Sequence, residues 1–385
     1  MVIKRKFKFR SPSHCKIIIY ERIGSERIQN LILPNLPVFV FDPLLDKIYF
    51  SFRIACRIFL NLNKFECKSI KGYSTKLRGI IGQLWRIYIL SVINVISPKV
   101  VITIIDNHPI FHWLCEHYHG AEFIAIQNGS RTRGQLNNDK SKYTLQHYFC
   151  FGNYEKDLFA DYGYRVENYY PVGSLLSGYH MSNNTFNDKP EYDICVISAW
   201  RGKIGDTVDV QTSMKAMKIM DEMLSRYVQR REINASVMMR SEPDSDDREI
   251  PVYGNEKIYF QTIYPDSVTL IDPHFKNANI YSEILKSDLI ISMGSTVPRE
   301  AFGFGKKILY CDFTGTKLYN DYDPVILFVD EDYDLLEQRL DELLDMPQLE
   351  YENRTKKYAS YLMNNYPENP PHKIIRQKIN EILAH

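Results

Sequence analysis

The sequence has almost no excess charge of either sign. Its 48 Lys and Arg stand against 47 Asp and Glu, a formal net charge of +1 over 385 residues. A dedicated nucleic-acid binder carries a basic excess, so no nucleic-acid partner is expected. Glycine and proline together are no more than average, 18 of each, which excludes collagen-like and low-complexity chains. The seven cysteines (15, 56, 67, 115, 150, 195 and 311) form no Cys-x-x-Cys and no metal-ligand spacing. Odd in number and mostly set in apolar runs, they read as reduced structural thiols of a cytoplasmic protein. The basic start MVIKRKFKFR is not followed by an apolar core and cleavage site, so it does not read as a secretory signal. The longest apolar stretch, Gly79 to Pro98, is interrupted by Arg86 and has helical periodicity, so no transmembrane anchor is expected. No repeat of solenoid period is present.

Metal chemistry has little to stand on. His108 and His112 are four apart, but no Glu completes a metalloprotease pattern between them. The acidic run Asp244-Ser-Asp-Asp247 reads equally well as a solvated turn. No metal and no cofactor is expected.

What is present is a packed chain, 44% hydrophobic and 25% charged, with 13% aromatics including 27 Tyr. The length suggests two domains. Apolar runs that read as buried strands alternate with helix-like segments. The strands expected in the first half are Lys16–Tyr20, Val38–Phe41, Val100–Ile105, Glu122–Ile126 and His147–Phe151. A polar, turn-rich stretch at 181–191 (MSNNTFNDKPE) breaks the pattern. The alternation then restarts with strands at Tyr192–Ile197, Ala235–Met239, Val268–Ile271, Asp288–Ser292 and Lys307–Cys311. This implies an α/β fold of two Rossmann-like domains, 1–180 and 192–385, facing each other across a cleft. The C-terminal helices are expected to pack back on the first domain.

Ligands of parallel sheets bind beyond the carboxyl ends of the strands. The strongest such segment runs from Ser287 to Tyr310 (SDLIISMGSTVPREAFGFGKKILY). It reads as strand, Gly294-Ser295-Thr296 turn, helix, glycine-rich exit, strand. Gly294 suits a tight turn, Ser295 or Thr296 suits a cap, and Pro298 suits the first helical turn. A helix start of this kind can hold a phosphate. Glu300, one turn on, is placed to meet ribose hydroxyls. The competing reading is a plain helix cap followed by a solvated Glu.

This segment resembles the donor-domain signature of GT-B glycosyltransferases. Ile124–Arg131 (IAIQNGSR) and the stretch from Phe149 to Ser174 (FCFGNYEK to YPVGS) are similar to loops of the same superfamily. Their order suggests the bacterial surface carbohydrate biosynthesis family, with more distant similarity to Kdo transferases and CDP-glycerol glycerophosphotransferases. The resemblance covers about residues 100–312. It departs at Met239–Pro243, which lacks the histidine of a Lys/Arg-x-His-Pro segment, and at Asn128-Gly129, where wall-polymer enzymes carry His-Gly.

The resemblance implies a metal-independent transfer of a sugar from a nucleotide-sugar to a surface polysaccharide or lipid-linked saccharide acceptor. Ser198, Arg201, Arg240, Gly294, Ser295, Thr296 and Glu300 would hold the donor in the second domain. Gln127, Asn128 and Arg131 would hold the acceptor, amides suiting hydroxyls and the guanidinium suiting an anion. Trp200 is a candidate to stack on a ring. An inverting reaction needs a base at a first-domain strand end, for which Asp106, Glu21 and His108 are the candidates. Each has a structural alternative: Asp106 as a helix cap, Glu21 paired with Arg22 or Arg27, His108 as a polar loop residue. A phospho-group transferase, a sugar-nucleotide epimerase and a non-catalytic binding protein stay open on the same fold. The N-terminal Lys4, Arg5, Lys6, Lys8 and Arg10, interleaved with Phe7 and Phe9, suit contact with anionic lipid. A solvated tail is the alternative.

Overall fold

The computed structural model describes residues 7–42, 48–65, 73–133, 136, 143–183, 190–200, 208–240, 253–272, 280–319, 321–365 and 368–384. Near the start, β1 (Phe7–Lys8) pairs with β4 (Ile48–Tyr49). The first large sheet contains β2 (Ile17–Tyr20), β3 (Phe39–Phe41), β5 (Val100–Thr103), β6 (Glu122–Ile126), β7 (Thr144–Cys150) and β8 (Arg165–Pro171). Their order is β3-β2-β5-β6-β7-β8, and every pairing is parallel. The second sheet contains β9 (Tyr192–Ile197), β10 (Ala235–Met238), β11 (Thr269–Ile271), β12 (Ser287–Ser292), β13 (Lys307–Cys311) and β14 (Leu327–Phe328). It too is wholly parallel, in the order β11-β10-β9-β12-β13-β14.

Every residue of β2, β5, β10 and β13 is buried. That is why these strands read as continuous apolar runs rather than as alternation: helices cover both faces of a parallel sheet. β5 ends earlier than the apolar run suggests because Thr103 Oγ1 accepts the N–H of Ile105 at 2.9 Å and turns the chain.

The helix Tyr73–Ile96 is apolar enough over Gly79–Ile96 to span a membrane by length and composition. Its second half is packed inside the protein, with Ile87, Ile89, Leu90, Val92, Ile93 and Ile96 fully buried, while Ile80, Ile81 and Leu84 of its first half are exposed. The helix Leu175–Asn183 runs into the start of the expected polar break, while 184–189 lie outside the described residues. The last helix, Pro371–Ala384, returns to the first sheet. Its Ile375 and Ile379 join a core with Ile17, Ile19, Val100, Ile102 and Ile124. Arg376 Nε and Nη2 cap the carbonyls of Ile32 and Leu31 at 2.9 and 2.8 Å. Burying the two isoleucines contributes about 3–6 kcal/mol.

Each sheet has a point where strand order reverses. In the first it lies between β2 and β5, in the second between β9 and β12. Crevices form at such points beyond the strands' carboxyl ends. Glu21, Asp106 and His108 follow β2 and β5. Ser198 and Gly294–Thr296 follow β9 and β12.

Candidate active site

At the first switch point, Glu21 and His108 meet. His108 Nε2 lies 2.9 Å from Glu21 Oε1, with both side chains mostly but not wholly buried. His108 also precedes the helix Pro109–His117, and its Nδ1 accepts the N–H of Phe111 at 3.4 Å. A backbone N–H on Nδ1 leaves the proton on Nε2, which therefore donates to the Glu21 carboxylate. The cap expected of Asp106 thus belongs to His108, and Glu21 pairs with His108 rather than with Arg22 or Arg27.

Glu21 sits at φ 75°, a left-handed conformation that costs a non-glycine residue about 1–2 kcal/mol. Its own N–H donates to the Phe41 carbonyl at 2.8 Å, which anchors the turn. The Tyr20 ring meets His108 edge-on at 5.5 Å. Burial, with Glu21 and Asp42 nearby, raises the phenol's pKa well above its usual value and keeps it neutral.

Asp106 and Arg131 form a buried ion pair, joined by the Tyr148 hydroxyl donating to Asp106 Oδ2 at 3.0 Å. Burial raises the Asp106 pKa, and Arg131 and Tyr148 oppose that shift. A candidate base and a candidate anion binder therefore neutralise one another. Asn128 remains exposed, its Oδ1 3.5 Å from Arg131 Nη2.

Gln127 is not available to an acceptor. Its Nε2 donates to Gly129 O and Glu155 Oε1, both at 2.9 Å, and its Oε1 accepts from Phe151 N at 2.8 Å. His112 turns away from His108: its Nδ1 lies 3.1 Å from Thr144 O, and burial pushes its pKa down to about 4.

The second switch point differs from expectation in three ways. Gly294 is not among the residues of positive φ, and a Cβ there would meet only the Tyr319 hydroxyl, at 3.7 Å. The turn is made instead by Ser292 Oγ, which accepts the N–H groups of Gly294 and Ser295 at 3.3 Å each. Thr296 makes no side-chain cap on the helix Val297–Gly303; its Oγ1 accepts the N–H of Ser130 at 3.0 Å, from the other half of the molecule. Ser295 Oγ takes the N–H of Val297 at 3.2 Å and Pro298 has none, so the helix start offers fewer open donors than the sequence suggests.

Glu300 is not a free ribose ligand either. It is buried, bonded to Ser174 Oγ and lying 3.3 Å from the Tyr281 hydroxyl. Burial pushes its pKa up to about 7, against the opposing pull of Ser174, Tyr281 and Arg27.

Two residues escaped the sequence reading. Arg299 is fully buried and forks onto Glu155, with Nη1 2.7 Å from Oε1 and Nη2 2.9 Å from Oε2. Its Nε donates to Leu362 O at 2.8 Å. Charged residues inside VPREAF, on a helix otherwise apolar, were the available signal. Glu256 Oε1 accepts from Ser198 Oγ at 2.6 Å and from Arg240 N at 2.9 Å, binding the loops after β9 and β10 together. Ser198 is therefore a loop-holding residue. Arg240 keeps an exposed side chain, with Nη1 3.3 Å from Trp200 O. The Trp200 ring packs on Tyr259 at 4.8 Å. Arg201 and Asp244–Asp247 lie outside the described residues.

The two halves thus meet along this short helix and beside it, where Arg133 Nε pairs with Asp321 at 3.0 Å and the Tyr361 hydroxyl donates to Asp157 at 2.8 Å. Thr296, Arg299 and Glu300 reach Ser130, Glu155 and Ser174 in the first half. Aromatics fill the same seam: Tyr154 meets Tyr322 at 5.9 Å, and Tyr310 stacks on Tyr319 at 4.6 Å.

Two wholly parallel sheets, each with its own switch point, make an α/β fold of the GT-B-like type. Solved structures share it over nearly the whole chain. UDP-GlcNAc 2-epimerase from Neisseria meningitidis, bound to UDP-GlcNAc, is 14% identical, with 96% of this chain and 98% of that one covered and a TM-score of 0.50. MnaA of S. aureus with UDP is 15% identical, at 99% and 96% coverage and a TM-score of 0.51. UDP-GlcNAc 2-epimerase from Methanocaldococcus jannaschii, in complex with UDP-GlcNAc and UDP, is 12% identical, at 96% and 98% coverage and a TM-score of 0.51. No protein-family model matches the chain, and no curated protein does.

Proposed function

We propose that the chain is a nucleotide-sugar enzyme acting as a glycosyltransferase. The observation that carries this reading is the Glu21–His108 pair at one switch point, on a first half whose Ser130 meets the Gly294–Thr296 loop of the other. Glu21 is the base that takes the acceptor hydroxyl's proton. His108 positions it, because its Nε2–H holds one carboxylate oxygen while the helix cap holds Nδ1. Arg240 and the Gly294–Ser295 loop meet the donor's phosphates, and Asn128 meets acceptor hydroxyls. The resemblance to the surface carbohydrate family supports a polysaccharide or lipid-linked acceptor.

A second reading, a nucleotide-sugar epimerase, is favoured by the fold neighbours, which include UDP-GlcNAc 2-epimerases bound to UDP-GlcNAc. One experiment separates the two. Proton NMR of the chain with UDP-GlcNAc alone shows a changed sugar for an epimerase. It shows an intact donor for a transferase, which then releases UDP only when acceptor is added. A panel of UDP-, GDP-, CMP- and dTDP-sugars that raises the melting temperature for none of them would defeat both readings. Glu21→Gln should cut acceptor-dependent turnover by about 10²–10⁴-fold without lowering the melting temperature.

A further inference from the structure

The segments 7–16, 48–65 and 73–96 each carry three Lys or Arg and no Asp or Glu, in a chain whose total charge is balanced. They are neighbours in space. β1 pairs with β4, Ser11 Oγ donates to Ser51 Oγ at 2.9 Å, and Asn61 Nδ2 donates to Ser91 Oγ at 3.1 Å. All three segments also carry large apolar side chains that the fold leaves in solvent, among them Ile81 and Leu84 of the third.

The helix Phe52–Asn61 turns Ile54 and Asn61 inward. Phe52, Cys56, Phe59 and Leu60 lie outward at helical spacing, Phe52 84% and Phe59 75% exposed. Arg53 and Arg57, also exposed, border that stripe. Beside it Phe50 stacks between Phe7 and Phe9 at 5.8 and 5.9 Å, and Phe9 is 85% exposed. Scattered exposed apolar residues are ordinary, whereas a contiguous aromatic patch marks an interaction site.

The geometry points to this face, the outer side of the helix Phe52–Asn61 with the Phe7–Phe9 edge, as a docking surface for an anionic lipid bilayer. Charge selects the occupant. A second copy of the chain would bring the same basic, acid-free segments together and repel. A bilayer carrying anionic headgroups accepts the arginines while the aromatic stripe enters the headgroup boundary, with the helix lying in the plane. Docking of this kind is independent of the reaction proposed above.

Cosedimentation of the full chain with vesicles tests it. Vesicles of phosphatidylcholine mixed with phosphatidylglycerol should pull the protein down, and vesicles of phosphatidylcholine alone should not. Added salt should weaken the binding. Phe52→Ser combined with Phe59→Ser should lower binding at least about tenfold. Arg53→Glu combined with Arg57→Glu should do the same at low salt, and both variants should melt as the parent does. Equal binding to both vesicle types, or binding that neither double variant weakens, would overturn the proposal. So would light scattering that shows a dimer which Phe52→Ser/Phe59→Ser converts to monomer, since a second copy would then cover the face.

Discussion

Arg299 and Glu155 form an ion pair in a site with no solvent exposure. Such a pair contributes little over an apolar replacement, but removing one member strands the other, at a cost of about 3–5 kcal/mol. Arg299→Met and Glu155→Gln should each lower stability by about that much, and the double variant by clearly less than the sum. Chemical denaturation of the four proteins measures the cycle. Glu300 and Asp221 act through pH instead. Asp221 lies in the helix Val208–Arg231, bonded to the Tyr259 and Tyr264 hydroxyls at 2.9 Å each, and burial pushes its pKa up to about 7. Both carboxyls therefore hold a proton in the folded state that the unfolded chain releases near its ordinary value of 4.5 for Glu300 and 3.8 for Asp221. The unfolded state binds fewer protons between those values and about 7, so stability falls as pH rises through that window and levels off above it. Glu300 alone accounts for about 3 kcal/mol of that fall. Glu300→Gln should flatten the pH dependence of the melting temperature between about pH 5 and pH 8. An unchanged slope would mean that the folded-state carboxyl is already ionised.

At the scale of elements, what the sequence made legible follows from how each element is buried. β6, β9 and β13 fall on the residues expected, because strands covered on both faces leave unbroken apolar runs bounded by polar turns. β8 was not anticipated: it is an edge strand with Arg165, Glu167 and Asn168 exposed, so no apolar pattern marks it. The helices Leu175–Asn183 and Tyr253–Ile263 also went unread, the first carrying Gly178 and two serines where a helical stripe would be sought. The strand-end rule did bring Glu21, His108, Ser198 and Gly294 to the two switch points. It could not say which polar side chains would consume one another. Asp106 and Arg131 are 25 residues apart and Arg299 and Glu155 are 144 apart, and neither pairing leaves a local pattern. A helix start read as a nucleotide cradle is for this reason a connector in the structure: Arg299 and Glu300 face the first half, while the stretch before them, Gly294–Val297, stays half open.

For the whole molecule, connection along that helix has a thermodynamic consequence. Two Rossmann-like units, each with its own sheet, have the means to unfold separately, and interfaces between domains of one chain are often weak. Here the seam contains a fully buried ion pair, the Glu300–Ser174–Tyr281 cluster, the Thr296–Ser130 bond and a tyrosine cluster. The chain also crosses back, since the helix Pro371–Ala384 completes the core of the first sheet after the second has been built. Losing either half therefore exposes buried charge and apolar surface on the other. Scanning calorimetry should show one transition, with calorimetric and van't Hoff enthalpies in agreement. Arg299→Ala combined with Thr296→Val removes the ion pair and the bond at Ser130 while leaving each sheet intact. That variant should melt in two resolved steps, the earlier one losing about 3–5 kcal/mol or more. A nucleotide-sugar that bridges the halves should draw the two steps together again, since binding to the joined state stabilises it by mass action. Two steps in the parent chain would show that the seam is too weak to couple the halves, and a single step in the variant would place the coupling elsewhere, with the returning helix as the next element to remove.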